Sequence, residues 1–521
     1  MPLVGRLSFA FLVGCLVAQL GSPLQAEVRL PAILGSNMVV QAGQPLPFWG
    51  WATPGERIEV QAGDRKAVTQ AAADGTWRLQ LEPLATGGPL DVVVAGRNRL
   101  VLKNVLVGEV WLCSGQSNMT FALSGESQAA EALAAAHRPS LRLFTVQRKA
   151  SEAKPLDDVV GRWVECTPET ARTFSAVAYY LGVQLQEGRK SPVGLIHSSW
   201  GGTKAEAWTP REALASDPAL QPILDRWQQA LADLPRLTAE FEANRERLLA
   251  EWRQKAAEAA ARGGAAPTEP RVRIAPNSQY APVALYNAMI APLAPFAIAG
   301  VAWYQGEGNA GRGLEYRTLF PAMIKAWRTT WGRELPFVFV QLPNIGRLNS
   351  RWPEVREAQL LSRSVPGTEM IVTIDVGDPM DLHPRAKAEV GRRLALAAEA
   401  LVYGQPGETR LSPLFQRART EGEGGMRVSF LPGRGGLAVR PGGSLQGFQL
   451  AGSDRRFFPA TARIEGDTVF VQCPQVPSPV AVRYAWEDNP ASASLISTSG
   501  LPASPFRSDD WDLAGPPAPE P

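Results

Sequence analysis

The pattern of hydrophobic and polar positions changes along the chain, and its first part predicts a small all-β unit. From residue 27 to 105, short apolar runs alternate with turn signals such as Pro54-Gly55-Glu56 and Gly87-Gly88-Pro89. Runs of this length and spacing are typical of sandwich strands. We therefore predict a β-sandwich domain over residues 27–105. Its expected strands are 38–41, 46–51, 57–61, 77–81 and 90–94.

Between residues 106 and 404 the pattern becomes one of apolar runs alternating with longer stretches of helical periodicity. This alternation indicates an α/β domain, in which a parallel sheet is flanked by helices. We expect buried strands at 110–112, 141–146, 193–197, 298–304, 337–342 and 370–374. We expect helices at 175–186, 319–331 and 384–402.

Two further segments interrupt or follow this alternation. Residues 210–276 have a charged, helix-favouring composition and include the breaker Gly263-Gly264-Ala265-Ala266-Pro267, so we predict an inserted helical hairpin with a solvated charged face. Short strands return over residues 405–513, which predicts a β-rich C-terminal domain. Residues 514–521 are expected to be disordered.

Candidate chemistry begins where the strand at 110–112 ends. Ser117 follows the small residues Cys113-Ser114-Gly115, at the point where a helix is expected to begin. Open α/β sheets place their sites at this carboxyl edge, and amides at a helix start stabilise an oxyanion. Ser117 is therefore a candidate nucleophile, although a serine at this position also serves as an ordinary helix cap.

A serine nucleophile needs a base, and the chain has 3 histidines. His137 lies at the end of an Ala-rich helix, where the helix dipole favours it. His197 ends a predicted strand and could reach the sheet edge. His383 lies on a loop between a predicted strand and a helix, and Asp381 stands two residues before it. We prefer His383 because it alone has a carboxylate so close in sequence.

Four short motifs carry a resemblance to a known family. They are Gly115-Gln116-Ser117-Asn118-Met119, Ser199-Trp200-Gly201-Gly202-Thr203, Trp303-Tyr304-Gln305-Gly306-Glu307-Gly308-Asn309 and Asp381-Leu382-His383-Pro384. In this order they resemble the four motif blocks of the SGNH (GDSL-like) hydrolases. The residues within these motifs are similar to those of the sialate O-acetylesterase branch, and the similarity extends from about residue 30 to 511. The resemblance implies an SGNH-type parallel sheet and a serine esterase that removes O-acetyl groups from carbohydrate, most specifically from sialic acid.

The resemblance also implies roles for individual residues. Ser117 is expected to attack the acetyl carbonyl, and His383 to accept its proton. Asp381 is our first choice to orient His383. Asp378, Asp375 and a main-chain carbonyl remain as alternatives for that role.

The expected oxyanion and substrate-binding groups come from the first three blocks. They are the backbone N–H of Ser117, the backbone of Gly202 or Gly201, a side-chain amide from Gln305 or Asn309 with Gln305 ahead, and Gln116. Glu307 is expected to brace the strand end by hydrogen bonding. Two alternative functions stay open: an acetyl-xylan or other hemicellulose acetylesterase, and a noncatalytic carbohydrate-binding protein.

Composition narrows the classes of partner. A net charge of +3 without a long basic run argues against nucleic-acid binding. No Cys/His cluster has metal-ligand spacing and no Gly-rich phosphate loop follows a strand, so we expect neither a metal nor a cofactor. The expected partner is an O-acetylated carbohydrate.

The first residues indicate export. Arg6 precedes the mostly apolar stretch 7–20, and Pro23-Leu24-Gln25-Ala26 is a plausible cleavage site. We predict a signal peptide over residues 1–26 and a periplasmic or extracellular protein without a stable membrane span. Lipidation at Cys15 is the less favoured alternative, since the apolar run before it is very short.

Overall fold

The computed structural model describes residues 27–262, 267, 269–272, 274–346, 351–404, 411–422 and 424–512. The predicted signal peptide with Cys15 and the predicted tail 514–521 lie outside these residues. Along the described chain, β structure comes first, alternating strands and helices follow, and β structure returns at the end. The predicted fold class is therefore confirmed.

Two small sheets form the N-terminal part of the chain. Their strands are β1 (Val39–Gln41), β2 (Leu46–Trp51), β3 (Arg57–Ala62), β4 (Arg65–Gln70), β5 (Thr76–Leu81), β6 (Gly87–Ala95) and β7 (Arg99–Gly115). Strands β2 and β5 pair with each other, while β3 lies between β4 and β6, and β7 pairs with β6 and β1. All five predicted strands are present. Strand β4 was not predicted, because its side chains are mostly exposed and polar and carry no apolar signal.

Strand β7 connects the N-terminal sheets to the central sheet. Its first residues alternate between exposed and buried and pair with β6, whereas its last residues are all buried and lie between two parallel neighbours. The run 105–113, apolar except at Gly108 and Glu109, supplies this second part, because a strand covered on both faces needs mostly apolar side chains on both. The strand thus passes through the predicted limit at residue 105. The domain limits themselves stay a prediction.

The central sheet contains the six strands that the sequence predicts. Its strand order is β13-β12-β11-β7-β10-β8-β9, and all pairs except β8–β9 are parallel. Its further strands are β8 (Arg138–Thr145), β9 (Trp163–Cys166), β10 (Val193–Ser199), β11 (Gly300–Tyr304), β12 (Phe337–Val340) and β13 (Thr368–Ile371). The unpredicted β9 is a short antiparallel edge strand.

Helices cover the sheet. They are α1 (Ser117–Thr120), α2 (Ala129–Ala134), α3 (Pro168–Arg172), α4 (Ala176–Arg189), α5 (Arg211–Ser216), α6 (Gln221–Ala261), α7 (Gly313–Trp331), α8 (Trp352–Ser362) and α9 (Lys387–Val402). Short 3-10 helices span Leu123–Gly125, Ala205–Trp208, Ala291–Leu293 and Glu307–Asn309, and a π-helix spans Tyr286–Ile290. The predicted helices at 175–186, 319–331 and 384–402 correspond to α4, α7 and α9. Ser175 caps α4 by accepting a hydrogen bond from the Ala178 N–H at 3.1 Å.

The predicted helical hairpin is wrong. Within the insertion, a short helix α5 is followed by one helix, α6, of 41 residues. No glycine interrupts the stretch 221–261, and its one internal proline, Pro235, does not end the helix. Exposed pairs four residues apart, such as Arg236–Glu240 and Arg247–Glu251, support the continuous helix.

The C-terminal part is β-rich, as predicted. Its strands are β14 (Phe415–Glu421), β15 (Gly425–Phe430), β16 (Leu437–Val439), β17 (Phe448–Ala451), β18 (Phe457–Pro459), β19 (Thr461–Glu465), β20 (Thr468–Gln472), β21 (Ala481–Tyr484), β22 (Leu495–Ser497) and β23 (Phe506–Arg507). This part packs against the central domain. Arg507 forms an ion pair with Glu357 at 2.7 Å, and Gln341 Nε2 donates to Ser504 Oγ at 2.9 Å.

Candidate active site

Ser117 lies at the carboxyl edge of the central sheet. Strand β7 ends at Gly115, and α1 begins two residues later at Ser117. The turn depends on glycine, since Gly115 has φ +138° and a Cβ atom there would lie 2.1 Å from the Tyr304 carbonyl oxygen. The Gln116 N–H donates to the same carbonyl at 3.0 Å, which ties the end of β7 to the end of β11. The half-buried Ser117 hydroxyl is therefore held at a fixed point above two central strands.

Asn118, the next residue, connects Ser117 to the loop that carries His383. Its Nδ2 group donates to the Leu382 carbonyl at 3.1 Å and to Glu307 Oε1 at 2.5 Å. Asn118 is fully buried. The structure thus brings the first and last motif blocks together, as the resemblance implies.

His383 and Asp381 lie on one partly exposed turn. Asp381 Oδ1 accepts a hydrogen bond from the His383 backbone N–H at 2.8 Å. The same oxygen is 3.9 Å from His383 Nδ1, which is longer than a hydrogen bond but within the range of an ion pair. Asp381 therefore shapes the turn that presents the imidazole, and a small rotation would bring the two side chains into contact.

The two alternative acids occupy other positions. Asp375 forms a two-point ion pair with Arg393, both distances being 2.7 Å. Asp378 accepts a hydrogen bond from the Met380 N–H at 2.8 Å. Of the three aspartates considered for orienting His383, Asp381 is therefore the one whose carboxylate lies near the imidazole.

His197 is a buried structural residue. Its Nε2 lies 2.6 Å from Ser199 Oγ, which in turn lies 2.8 Å from Thr120 Oγ1, and Phe174 packs edge-on against the ring. Burial lowers the pKa of His197 to about 4, so the imidazole is neutral at ordinary pH. The third histidine, His137, is exposed just beyond α2.

The glycines of the second block lie against the nucleophile. A Cβ atom on Gly201 would be 3.3 Å from Ser117 Cβ, so a larger residue would press on the serine. Gly202 has φ +73° and lines the adjacent cavity. Both positions suit a backbone that approaches a reacting carbonyl closely.

The two side-chain amides expected as oxyanion donors point into the protein. Gln305 is fully buried; its Nε2 donates to Asn309 Oδ1 at 2.7 Å and its Oε1 accepts from Tyr316 at 3.0 Å. Asn309 donates to Glu206 Oε2 at 2.9 Å. These bonds brace the end of β11. In this arrangement neither amide faces the cavity.

Gln116 is placed differently. Its Oε1 accepts a hydrogen bond from the Gly308 N–H at 3.0 Å, which fixes the orientation of the amide. Its side chain lines the cavity, and within the described part of the chain its Nε2 has no hydrogen-bond partner. Gln116 Nε2 is therefore a side-chain donor that remains available at this site.

A buried charge pair beneath the nucleophile was not predicted. Lys387 Nζ donates to Asn118 Oδ1, and Glu307 lies on the other side of the same amide. Burial lowers the pKa of Lys387 to about 7, although Glu307, Asp381 and Glu126 act in the opposite direction. Burial also raises the pKa of Glu307. One sequence signal was present: Lys387 is three residues before Val390 and so lies on the apolar face of α9.

A cavity of about 450 Å³ reaches the motif blocks at Gln116 and Leu382, the residues that precede Ser117 and His383 in the chain. It is lined by residues of the motif blocks, of helix α6 and of the loops around them: Gln116, Gly202, Lys204, Glu206, Ile223, Arg226, Trp227, Ala230, Ile274, Tyr280, Pro282, Glu307, Gly308, Ala310, Arg312 and Leu382. The inserted helix thus forms one wall of the site through its first turns. The sequence predicts a charged helical segment here, but it does not predict which part of the protein that segment packs against.

Some aromatic and arginine side chains near the motif blocks lie in the core or in ion pairs, and others line the cavity. Trp303 and Tyr304 are fully buried and belong to the core. Arg507 is paired with Glu357, and Arg385 donates to the Gly125 carbonyl. Arg312, by contrast, lines the cavity.

The described residues hold neither a cluster of metal ligands nor a membrane-spanning helix. They contain no group of three or more His, Cys, Asp and Glu side chains suited to a metal ion. None of the helices in the described ranges has the length and apolar character needed to cross a bilayer. Cys113, Cys166 and Cys473 are all free and buried.

Comparison with known proteins agrees with this geometry. Residues 270–400 match the family model described as SASA, carbohydrate esterase, sialic acid-specific acetylesterase. The chain is 30% identical to sialate O-acetylesterase of Mus musculus, covering 94% of this chain and 96% of that protein. It is 28% identical to sialate O-acetylesterase of Homo sapiens, covering 92% of each.

A solved structure shows the same fold. A carbohydrate acetylesterase from Xanthomonas citri superposes with a TM-score of 0.78 and 37% identity, covering 93% of this chain and 100% of that one. Together with the full-length similarity to the mouse enzyme, this shows that the chain belongs to the sialate O-acetylesterase family of carboxylic ester hydrolases.

Proposed function

We propose that the protein hydrolyses O-acetyl esters of sialic acid by a serine mechanism in which Ser117 is the nucleophile and His383 the base. The observation that carries this proposal is the Asn118 side chain, which links the helix of Ser117 to the loop of His383 beside a cavity of about 450 Å³. A nucleophile and a base held by one buried amide have the fixed relative position that acyl transfer requires.

The reaction proceeds in two steps. Ser117 Oγ attacks the acetyl carbonyl while His383 takes the hydroxyl proton, and the tetrahedral intermediate collapses as His383 returns that proton to the sugar oxygen. Water, deprotonated by His383, then attacks the acetyl-enzyme, and acetate leaves as Ser117 regains its proton. Asp381 stabilises the imidazolium that forms in each step.

The oxyanion is stabilised by groups that meet near Ser117. The backbone N–H groups of Ser117 and Gly202 are two donors, and the orientation of the Gln116 amide makes Nε2 a third. A preorganised donor of this kind contributes about 3 kcal/mol to the barrier reduction. Gln305 and Asn309 support the site by holding the 203–206 loop and the end of β11.

The charges of the cavity favour an acidic sugar. Three cationic side chains line it, Lys204, Arg226 and Arg312, of which Arg226 forms an ion pair with Glu315 at 2.7 Å. The carboxylates Glu206 and Glu307 line it as well. Both carboxylates are buried and bonded within the protein. A sialic acid presents a carboxylate that an arginine binds in two-point geometry, whereas acetylated xylose units have no such group. We therefore place sialate esters ahead of xylan esters.

The experiment that tests this function measures acetate release from O-acetylated sialic acid and from acetylated xylan, side by side. We expect faster turnover of the sialate ester, and a loss of at least about 1000-fold in kcat for Ser117→Ala. Ser478→Ala, an exposed serine of the C-terminal part, is the matched control and should retain full activity. Equal rates for Ser117→Ala and wild type would refute the serine mechanism, and faster xylan turnover would refute the substrate.

Arg312→Gln examines substrate recognition separately from the chemistry. We expect KM for the sialate ester to rise about tenfold, while turnover of 4-nitrophenyl acetate changes little because that ester has no carboxylate. Arg385→Gln, which removes an arginine that does not line the cavity, is the control. An unchanged KM in Arg312→Gln would show that the sugar carboxylate is recognised elsewhere.

We also infer that the protein is exported through the segment 1–26. The Arg6 charge, the apolar stretch after it and the small residues at 23–26 support this. Expression of the full chain in a Gram-negative host should yield a mature protein in the periplasm whose N-terminus follows Ala26. An uncleaved cytoplasmic protein, or a lipid-modified Cys15 at the N-terminus, would contradict this inference.

A further inference from the structure

A second cavity of about 450 Å³ lies between the N-terminal sheets and the central domain. Strands β2 and β5 contribute Trp49, Trp51 and Trp77 to its wall, and the central domain contributes Asp157 and the segment Ala294–Pro295. It shares no lining residue with the cavity at Gln116 and Leu382. Pro295 comes before β11 and the motif with Glu307 comes after it, so the two cavities lie at opposite ends of that strand.

Two of these tryptophans, Trp49 and Trp51, are partly exposed to the cavity. Trp49 and Trp51 lie on one face of β2, opposite Arg78 and Thr76 of β5. Arg29 lies 5.6 Å from the centre of the Trp51 ring, which supports the ring from one side. The Trp77 side chain is 3% exposed and lies on the opposite face of β5, where it packs against Gly50.

The indole N–H groups of Trp49 and Trp51 differ from those of two tryptophans in the core. The buried indole N–H groups of Trp163 and Trp327 donate to backbone carbonyls at 2.8 and 2.9 Å, as buried donors normally do. In the described ranges, neither Trp49 nor Trp51 forms such a bond. Trp49 and Trp51 are only partly buried, so their indole N–H groups can donate to acceptor groups of a ligand in the cavity.

The charged groups at the rim define the ligand further. Arg78 and Asp157 both line the cavity, and over the described residues neither forms an ion pair or a side-chain hydrogen bond. Arg78 would attract a phosphate or carboxylate ligand while Asp157 would repel it, and a purely apolar ligand would leave the indole N–H groups of Trp49 and Trp51 without an acceptor. A neutral polyhydroxylated ligand can donate to Asp157, accept from Arg78 and the indole N–H groups, and stack on the rings.

We propose that this cavity is a second carbohydrate site, which binds a neutral sugar unit. Sites of this kind occur preferentially at domain junctions, where two walls meet at an angle. Because it is separate from the ester-hydrolysing site, it would hold a glycan to the enzyme while another part of that glycan reaches Ser117. This placement rests on the proposed function only for the identity of the glycan, not for binding itself.

The test measures binding of unesterified sugars, so that its outcome is independent of esterase activity. Lactose, cellotriose and xylotriose are titrated into the full chain and followed by saturation-transfer NMR and tryptophan fluorescence. We expect at least one of them to bind with a Kd on the order of 1 mM, as a single shallow subsite does. Trp51→Ala and Asp157→Ala should each weaken this binding at least about tenfold.

Two controls keep the result interpretable. Trp252→Ala removes a tryptophan of α6 that does not line either cavity and should leave the Kd unchanged. Asp157→Ala changes an exposed side chain, so it retains the fold even where Trp51→Ala perturbs β2, and thermal unfolding reports on both variants. The proposal is overturned if none of the three sugars binds at about 10 mM, or if binding persists in Asp157→Ala and Trp51→Ala alike.

Discussion

Asn118 Nδ2 donates a hydrogen bond to the Leu382 carbonyl at 3.1 Å, across a sequence separation of 264 residues. Each residue is adjacent in sequence to a proposed catalytic group, Ser117 in one case and His383 in the other. The same Asn118 amide contacts Lys387 and Glu307, both buried. The relative position of nucleophile and base therefore depends on one amide whose own orientation is determined by the Lys387 amino group and the Glu307 carboxyl group.

Asn118→Asp should lower activity more than Asn118→Ala does. An aspartate cannot donate to the Leu382 carbonyl, and its charge would face the Glu307 carboxylate, whereas alanine only removes the bonds. Displacement of His383 by about 1 Å lowers kcat by up to about 100-fold. Steady-state kinetics on 4-nitrophenyl acetate measure this, with KM nearly constant in both variants. Equal, wild-type kcat values would show that Asn118 has no positioning role.

Lys387→Met should lower kcat by about tenfold or more and leave KM almost unchanged. The substitution preserves the length and burial of the side chain but removes the donor to Asn118 Oδ1, so the amide loses its fixed orientation. Lys325→Met on α7, an exposed lysine, is the matched control. A rise in KM without a change in kcat would instead indicate that Lys387 contacts the substrate.

Asp381→Asn should reduce kcat at least about tenfold. The asparagine oxygen can still accept from the His383 N–H, so the turn is kept, but the negative charge that stabilises the imidazolium is lost. Asp378→Asn provides the comparison, because among the described residues the Asp378 side chain bonds only to the Met380 N–H, two positions further on. If both variants retain activity, a main-chain carbonyl orients His383.

The buried His197 should make the protein less stable in acid. Its pKa is about 4 in the folded protein, below its unfolded value near 6.5, so between these values the unfolded chain binds the proton and the folded chain does not. The free energy of unfolding therefore falls as pH decreases from about 6.5 to 4, by about 1 kcal/mol per pH unit from this residue. Urea unfolding of wild type and His197→Gln across this range measures the difference. Parallel pH curves would contradict the assignment.

Local sequence patterns sufficed for the strands of the central sheet. Each of the six predicted apolar runs forms a strand of the central sheet. This agrees with the rule that a strand covered by helices on both faces is mostly apolar along its length. The exposed strand β4 and the edge strand β9 lacked this signal and were missed. The uninterrupted helix α6 was mistaken for a hairpin because the composition of the segment indicated helix but not where a turn would fall.

The motif blocks by themselves predict that Ser117, Gly202 and His383 lie at one edge of the sheet. The roles of Gln305 and Asn309 could not be distinguished in that way. Both are amides in the same block, and which of their atoms face the cavity depends on the bonds to Tyr316 and Glu206. Gln116, by contrast, has an amide held by the Gly308 N–H and a free Nε2 on the cavity side within the described chain.

The sequence by itself determined the order of strands and helices, the family and the motifs that meet at the sheet edge, because these depend on local periodicity and on short segments. Only the tertiary structure decided that α6 forms a wall of the cavity, that Lys387 and Glu307 lie on either side of Asn118, and that three tryptophans surround a second cavity. These relationships join residues far apart in the chain. The burial and hydrogen bonding that give each group its chemistry arise only when those segments pack together.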